Sequence, residues 1–234
     1  MFEGKHVYAV VLAGGSGSRF GGDVPKQFQM LGDAPVFLHS MRIFDKIGII
    51  DGIVLVAPTH YLGFCQNLIS QHNLTKVIAT VKGGESRQES TYLGLKALIA
   101  DADSIVLVHD AARPFVCADD VTALVDAAHT YTSAILALPV ADTIKLADET
   151  KLAIQTINRE NLYAAKTPQA ARMADLRNAH EAARQDGFVA TDDCQLMENI
   201  GIYSKIVITS ARNIKITTAA DLDFAAFLLE KGMI

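Results

Sequence analysis

Alternating apolar and helical segments constrain the fold of this chain more than any other feature. Short runs rich in Val, Ile and Leu, most of them ending in Gly, Pro or Asp, lie at 7–12, 52–57, 76–81, 104–108 and 133–138. Segments with helical periodicity lie between them, at 36–47, 61–72, 86–100 and 119–131. Continuous apolar runs of strand length are typical of parallel strands buried on both faces. The order predicts an α/β fold, a Rossmann-like open, mostly parallel sheet with helices on both faces.

The rhythm changes between 139 and 169, where two alternating runs flank the turn-like sequence Asp148-Glu149-Thr150. This pattern predicts a β-hairpin, and because it interrupts the α/β alternation we expect it to project from the domain as an arm. Further on we predict a helix at 173–185, a short helix after Thr191, a strand at 203–208 and a final helix at 219–231. We expect a single domain over residues 1–234, with the arm inserted at about 139–169.

Composition excludes several classes of function. The formal net charge of the 234-residue chain is -5, which argues against the basic surface that nucleic-acid binding requires. No apolar run approaches the length of a membrane span, and the first one is more typical of a strand than of a signal peptide. Three cysteines, Cys65, Cys117 and Cys194, are far apart, as expected for reduced thiols. We expect a cytoplasmic protein that binds neither nucleic acid nor a membrane.

A glycine-rich loop follows the first predicted strand, in the sequence VVLAGGSGSRFGGDVPKQF at 10–28. Glycines let backbone N–H groups approach a ligand without side-chain clash, and Arg19 and Lys26 add positive charge. The combination predicts an anion site, most naturally for a polyphosphate. The loop lacks the Gly-Lys pair of a P-loop, and Phe20 stands where a dinucleotide fingerprint needs Gly. The alternative is a glycine-rich turn with incidental charges.

Two later loops carry further candidates. KGGESRQES at 82–90 opens a predicted helix, where Ser86 either caps the helix or contacts a ligand, and Ser90 is better placed for a ligand. VHDAARP at 108–114 ends a buried strand with an acid. There Asp110 could supply a hard oxygen to Mg²⁺ bound to nucleotide phosphates, and Arg113 could pair with Asp110 or with a phosphate. A purely structural ion pair is the alternative for both residues.

Seven motifs in this order resemble the cytidylyltransferases that form CDP-alditols. They are LAGGSGSRFG with PKQF, GGESRQES, VHDAARP, PVADTIK, TPQ, TDD and NIKITTAADL. Ala13-Gly14-Gly15 is more typical of the ribitol 5-phosphate enzymes, whereas VHDAARP and TDD are more typical of the 2-C-methyl-D-erythritol 4-phosphate enzymes. The resemblance favours methylerythritol phosphate as the acceptor, with ribitol phosphate as the alternative. A nucleotide-binding regulator without catalysis would need the glycine loop but not all of Lys26, Asp110, Arg159 and Lys215.

The resemblance implies a nucleotidyltransferase fold, CTP as co-substrate, and roles for particular residues. Groups expected around the CTP triphosphate are Ala13, Gly14, Gly15, Gly17, Arg19 and Lys26, with Lys215 facing the reacting phosphates from the opposite side. Gly84, Glu85 and Ser90 are expected against cytosine or its ribose. Asp110 is expected to hold Mg²⁺.

The resemblance also implies a homodimer in which the hairpin arm embraces the partner. Residues expected to bind the alditol phosphate are Arg113, Thr143, Arg159 and Thr167, with Arg159 reaching the partner's site. Catalysis would then consist of positioning and charge stabilisation, because the attacking phosphate is already ionised.

Overall fold

The computed structural model describes residues 1–15, 20 and 24–233. Its strands are β1 (Val7–Leu12), β2 (Met30–Leu31), β3 (Ala34–Pro35), β4 (Gly52–Ala57), β5 (Val77–Lys82), β6 (Ile105–Asp110), β7 (Ser133–Pro139), β8 (Ile144–Ala147), β9 (Ala153–Ile157), β10 (Tyr163–Arg172) and β11 (Lys205–Ile208). Its α-helices are α1 (Val36–Lys46), α2 (Leu62–Gln71), α3 (Arg87–Ala97), α4 (Ala118–Tyr131), α5 (Met173–Asp186), α6 (Asp193–Asn199) and α7 (Ala219–Glu230). Single-turn 3-10 helices lie at Lys26–Phe28 and Thr59–Tyr61.

Seven of the described strands form one central sheet in the order β11-β7-β10-β6-β1-β4-β5. All neighbouring pairs are parallel except those of β10, which is antiparallel to both β6 and β7. The predicted α/β fold with a mostly parallel sheet is confirmed. Because β6 continues to Asp110, two residues past the predicted end of this strand, its last carboxylate lies at the carboxyl edge of the sheet.

Strands β1, β4 and β6 each contribute to two hydrophobic cores, as expected for strands covered by helices on both faces. On β1, Ala9 and Val11 pack with residues of α1 and α4, while Val10 and Leu12 pack with residues of α3, α5 and α6. Helix α3 lies unusually close to the sheet, since a Cβ on Gly94 would stand 2.4 Å from a methyl carbon of Val10. This close approach sets where the first turn of α3 meets the edge of the sheet.

The predicted arm differs from the observed one in its C-terminal boundary. Strands β8 and β9 pair only with each other and are mostly exposed, as expected for a projecting hairpin. The following residues, predicted to belong to the arm up to 169, instead form β10 in the middle of the central sheet. The sequence YAAKTPQAAR has few β-branched residues and contains a proline, so it gives no local strand signal.

A third hydrophobic core joins the C-terminal helix to the short β2–β3 hairpin. It contains Leu31, Ile216 and Leu228, and Phe20 from the glycine-rich loop packs against it. Helix α7 begins with a capping box, in which Thr218 accepts from the amide of Asp221 and the Asp221 carboxylate accepts in return. Among the described residues, no helix combines the length and the apolar character needed to cross a bilayer.

Candidate active site

A cavity of about 540 Å³ opens at the carboxyl ends of β1, β5 and β6. Its size is that of a small-molecule site, and its place is where open α/β sheets bind ligands. Sequence-predicted residues that line it are Gly14, Gly15, Lys26, Gly84, Glu85, Ser90, Asp110 and Lys215. The amide of Ile216 donates to the carbonyl of Ala112 (2.9 Å), which ties the segment carrying Lys215 to the loop after β6. Residues from four separate parts of the chain therefore face one cavity.

Asp110 is held between two cations on the cavity wall. Its Oδ2 accepts from Nζ of Lys215 (2.6 Å) and its Oδ1 from Nε of Arg87 (3.1 Å). Burial alone would raise the pKa of Asp110, but the positive charges of Arg87 and Lys215 outweigh it and hold that pKa well below its usual range. The carboxylate is therefore ionised and already oriented before any ligand arrives.

Arg87 is a cavity residue that the sequence reading did not assign to the site. Its Nη1 donates to Oδ2 of Asp193 at 2.7 Å, so that one guanidinium bridges Asp193 and Asp110. Burial opposes the charge, yet the two carboxylates raise the pKa of Arg87. One signal was present in the sequence. Arg87 is the first residue of α3, where a cation opposes the helix dipole, so an arginine there needs a specific counter-charge.

The described part of the glycine-rich loop is held by Gln27, a second residue that was not predicted. This side chain is buried, and its Nε2 donates to the carbonyls of Ala13 (2.7 Å) and Gly15 (2.8 Å). The amide of Ala13 donates to the carbonyl of Val56 (2.7 Å), so both backbone groups of Ala13 are bonded within the protein. The predicted residues Gly17 and Arg19 lie outside the described residues.

Lys26 begins the 3-10 turn that presents Gln27 to the glycine-rich loop. Two residues on, Phe28 is buried and stacks on Tyr61 with the rings 3.8 Å apart and nearly parallel. The aromatic pair fixes the turn, and the turn directs Lys26 to the cavity.

Ser90, in the first turns of α3, lies between the loop after β5 and the glycine-rich loop. Its Oγ accepts from the amide of Gly84 (3.1 Å) and would stand 3.3 Å from a Cβ placed on Gly14. A Cβ on Gly84 itself would lie 2.3 Å from Cγ of Glu89, so a larger residue at this position would require the Glu89 side chain to move. Ser86 caps α3 by accepting from the amide of Glu89 (3.0 Å), which confirms the helix-capping interpretation.

A chain of hydrogen bonds behind the cavity fixes the main chain of Asp110. Its N–H donates to Oγ1 of Thr167 (3.0 Å), and this hydroxyl donates to Nδ1 of His109 (3.2 Å). This direction follows from the other ring nitrogen, because the carbonyl of Arg113 can only accept from a protonated Nε2 (3.1 Å), which leaves Nδ1 of the neutral ring as the acceptor. Burial lowers the pKa of His109 from 6.5 to about 4. Among the candidate alditol-phosphate residues, Thr167 thus supports the wall of the cavity from inside the protein.

The other candidates for the alditol phosphate lie apart from the cavity lining. Arg113 is buried and its Nη1 donates to the carbonyl of Asn213 (3.0 Å), while Asp110 takes its hydrogen bonds from Arg87 and Lys215. Thr143 and Arg159 are exposed near the base of the hairpin, where Arg159 donates to the carbonyl of Ala141. A single chain does not bring these two residues to the cavity.

Asp110, the predicted magnesium ligand, has few other acidic or metal-binding side chains around it among the described residues. Within the part of the chain that the structure describes, no group of three or more His, Cys, Asp or Glu residues could hold a metal ion. Mg²⁺ with a nucleotide needs less, since it takes one or two carboxylates and completes its shell with phosphate oxygens and water. Asp110, ionised and at the cavity edge, fits a site of that kind when Lys215 exchanges to a phosphate.

An open α/β sheet with two glycine loops, lysines and a fixed carboxylate at its carboxyl edge fits an enzyme of the nucleotidyltransferase class. The model of the family described as IspD, 2-C-methyl-D-erythritol 4-phosphate cytidylyltransferase, matches residues 7–231, and the chain belongs to this family.

Individual relatives agree with this assignment. The chain is 43% identical over 225 residues to the 2-C-methyl-D-erythritol 4-phosphate cytidylyltransferase of Pelotomaculum thermopropionicum, covering 96% of this chain and 94% of that one. The enzyme of the same name from Geobacillus kaustophilus is also 43% identical, with 96% and 97% covered. Among solved structures, 4-diphosphocytidyl-2C-methyl-D-erythritol synthase from Anaerococcus prevotii superposes with a TM-score of 0.86 at 29% identity, with 97% of each chain covered.

Proposed function

We propose that this protein transfers the cytidylyl group of CTP to 2-C-methyl-D-erythritol 4-phosphate, giving 4-diphosphocytidyl-2-C-methyl-D-erythritol and pyrophosphate. The observation that carries the proposal is that Lys26, Lys215 and Asp110 line one cavity together with two glycine loops. The family membership of the chain supports the same reaction.

Cytidylyl transfer requires cations that stabilise negative charge, and it requires no protein nucleophile. An oxygen of the phosphate monoester attacks the α-phosphorus of CTP, a new P–O bond forms, and the bond to the bridging oxygen breaks so that pyrophosphate leaves. Both reactants are anions, and negative charge builds on the α-phosphoryl oxygens in the transition state. Lys26 and Lys215 can bring these anions together and stabilise that charge in a partly enclosed cavity.

The ammonium group of Lys215 already lies at the cavity before the nucleotide binds. Its ion pair with Asp110 keeps the ammonium group at the cavity, with its side chain 35% exposed. A phosphate oxygen of bound CTP can replace Asp110 as the partner of Lys215 at little cost, because one anion replaces another. Asp110 would then be the residue that holds a Mg²⁺ ion, and the ion would supply charge neutralisation for the triphosphate.

The glycine loops suit the rest of the nucleotide. We assign Gly14, Gly15 and, outside the described residues, Gly17 and Arg19 to the triphosphate, with Ala13 supporting the loop from within the wall. Gly84, Glu85 and Ser90 line the same cavity and are assigned to the cytidine part. Backbone amides and small side chains allow the close approach that this assignment requires.

The arm is proposed to complete the acceptor site in a homodimer. Thr143 and Arg159 are exposed, and the hairpin presents Leu146, Leu152 and Ile154, which are 47%, 65% and 58% exposed. Neighbouring exposed apolar side chains on a projecting element are typical of an interaction surface. A partner chain packed on the hairpin would cover them and could bring Arg159 to a second cavity. A cytoplasmic location stays a prediction.

Gly14 bears weakly on the choice of acceptor. A side chain on this residue would point at Ser90 between the two loops, 3.3 Å from its Oγ, so the absence of a methyl group affects the packing of the nucleotide loops. The family membership of the chain favours methylerythritol phosphate over ribitol phosphate.

The test is a side-by-side assay of pyrophosphate release from CTP and Mg²⁺ with 2-C-methyl-D-erythritol 4-phosphate, with ribitol 5-phosphate and with no acceptor. We expect rapid release with the first acceptor and little with the others. Replacing CTP by ATP, GTP or UTP controls for the nucleotide. Faster release with ribitol phosphate would reject the proposed acceptor, and no release with any acceptor would reject the enzymatic function.

A further inference from the structure

Behind the cavity, Asp193 is a buried carboxylate that the proposed reaction does not use directly. It is 3% exposed and opens helix α6, and it reaches the cavity only through Arg87. The contact from Arg87 to Asp193 (2.7 Å) is shorter than the contact from Arg87 to Asp110 (3.1 Å). Arg87 is therefore bound more closely to the hidden carboxylate than to the one that faces the ligand.

Asp193 is itself fixed to the central sheet. Its own N–H and that of Cys194 both donate to Oε1 of Gln169, at 2.9 and 3.1 Å. Gln169 lies on β10, directly opposite Val108 of β6. Since Asp110 lies two residues further along β6, the two carboxylates that share Arg87 are held by neighbouring strands. Their separation is set by the sheet rather than by flexible loops.

The charge of Asp193 decides how strongly Arg87 acts on Asp110. A buried guanidinium with two counter-ions divides its attraction between them, whereas one with a single counter-ion directs all of it there. Without the charge of Asp193, Arg87 would hold Asp110 more strongly and compete with any other cation for its oxygens. Loss of the Asp193 charge would also leave excess positive charge beside the cavity, and this charge would attract a triphosphate.

We propose that Asp193 is a positioning residue, which acts through Arg87 to keep Oδ2 of Asp110 available for exchange between Lys215 and a divalent cation. The inference rests on the proposed function, because it takes CTP and Mg²⁺ as the ligands of the cavity. Partners behind a metal ligand commonly change metal affinity or activity by about ten- to hundredfold when they are removed.

The test is calorimetric titration of CTP into Asp193→Asn and wild type, once with EDTA and once with Mg²⁺. We expect Asp193→Asn to lose about tenfold of the gain in CTP affinity that Mg²⁺ confers. In EDTA its CTP affinity should be equal to that of wild type or higher. General damage to the cavity would weaken CTP binding in both titrations, so a loss confined to the titration with Mg²⁺ identifies the positioning role. Asp193→Glu, which retains the charge, should restore most of the gain.

Asp192→Asn is the matched control. Asp192 accepts from the amide of Gln195 (2.8 Å) and from Nε2 of Gln169 (2.9 Å), so it supports the same helix and the same glutamine, whereas Arg87 donates to Asp193. This variant should lose stability but keep the wild-type gain from Mg²⁺. Should Asp193→Asn not fold, Asp193→Ser is measured in the same way.

The outcomes separate this inference from the proposed function. A folded Asp193→Asn or Asp193→Ser protein with the wild-type gain, or an equal loss in Asp192→Asn, would overturn the positioning role while leaving the proposed function intact. If wild type binds no CTP, the proposed function and the inference are both rejected.

Discussion

The wall of the cavity and the hairpin arm carry candidate residues in opposite physical settings. In the wall, Asp110 and Thr167 are buried and bonded to several partners from other elements. On the arm, Thr143 and Arg159 are exposed, and the hairpin strands pair only with each other. The contrast shows which half of the candidate site one chain can organise alone.

The difference has a simple energetic origin. A buried charge must be paired and hydrogen-bonded, so the wall orders its charged groups at the same time as it folds. An exposed arginine gains little from a surface contact and keeps its conformational freedom. We infer that the nucleotide half of the site is preorganised, whereas the arm's half becomes ordered only against a ligand or a partner chain.

The largest effect is expected in the wall, from Lys215→Ala. Loss of one preorganised cation should reduce turnover by about two to three orders of magnitude, and Lys26→Ala should behave similarly. CTP affinity should change much less. Steady-state pyrophosphate release and CTP titration measure the two quantities. Lys205→Ala removes an exposed lysine from β11 and should be close to wild type. Wild-type turnover in Lys215→Ala would remove this lysine from the mechanism.

The two regions should also differ in their effect on pH dependence. We expect the free energy of unfolding to depend on pH through a buried histidine in the cavity wall. Because the pKa of folded His109 is depressed from 6.5 to about 4, the unfolded chain binds the extra proton between these values. The free energy of unfolding should therefore fall by about 3 kcal/mol as pH drops through this window, and this contribution should be constant above it.

Urea unfolding across the same pH window measures this effect, with His109→Asn expected to flatten the curve. His60→Asn, a change at an exposed histidine, should leave the slope as in wild type. An unchanged slope in a folded His109→Asn would show that another group causes the pH dependence.

For the arm, Arg159→Ala should raise the KM for the alditol phosphate by about ten- to hundredfold, since hydrogen bonds to charged groups contribute about 1.5–3 kcal/mol. The KM for CTP should change little. Lys145→Ala, which removes another exposed cation of the arm, is the control. If the arm acts on a partner chain, mixing Arg159→Ala with Lys26→Ala subunits should restore part of the activity. Confirmed mixed dimers without recovery would contradict a shared site.

The smallest effects are expected from replacing one threonine in each region. Thr167→Val leaves the buried N–H of Asp110 without its acceptor and should cost about 1–2 kcal/mol of unfolding free energy. Thr156→Val on β9 removes an exposed hydroxyl that accepts from Lys145 and should cost less than about 0.5 kcal/mol. Chemical denaturation measures both. Equal costs would mean that the wall is no better ordered than the arm.

Much of the fold followed from local patterns in the sequence. Strands such as β1 and β4 are continuous apolar runs because both of their faces are buried. Such a run is visible in consecutive residues of the sequence. The glycine loops and Asp110 were located for a similar reason, since each directly follows such a run. Parallel strands then bring their carboxyl ends to one edge without further information.

Other features were decided by the tertiary structure alone. Strand β10 has no strand pattern of its own and is extended because β6 and β7 supply hydrogen bonds on both sides. Asp193 reaches Arg87 across 106 positions of sequence, and Gln27 holds the glycine-rich loop by bonds to two carbonyls. The sequence by itself determined which segments form buried strands and which loops consist largely of glycine. Which charges meet depends on long-range packing, because a charged residue carries no local mark of its partner.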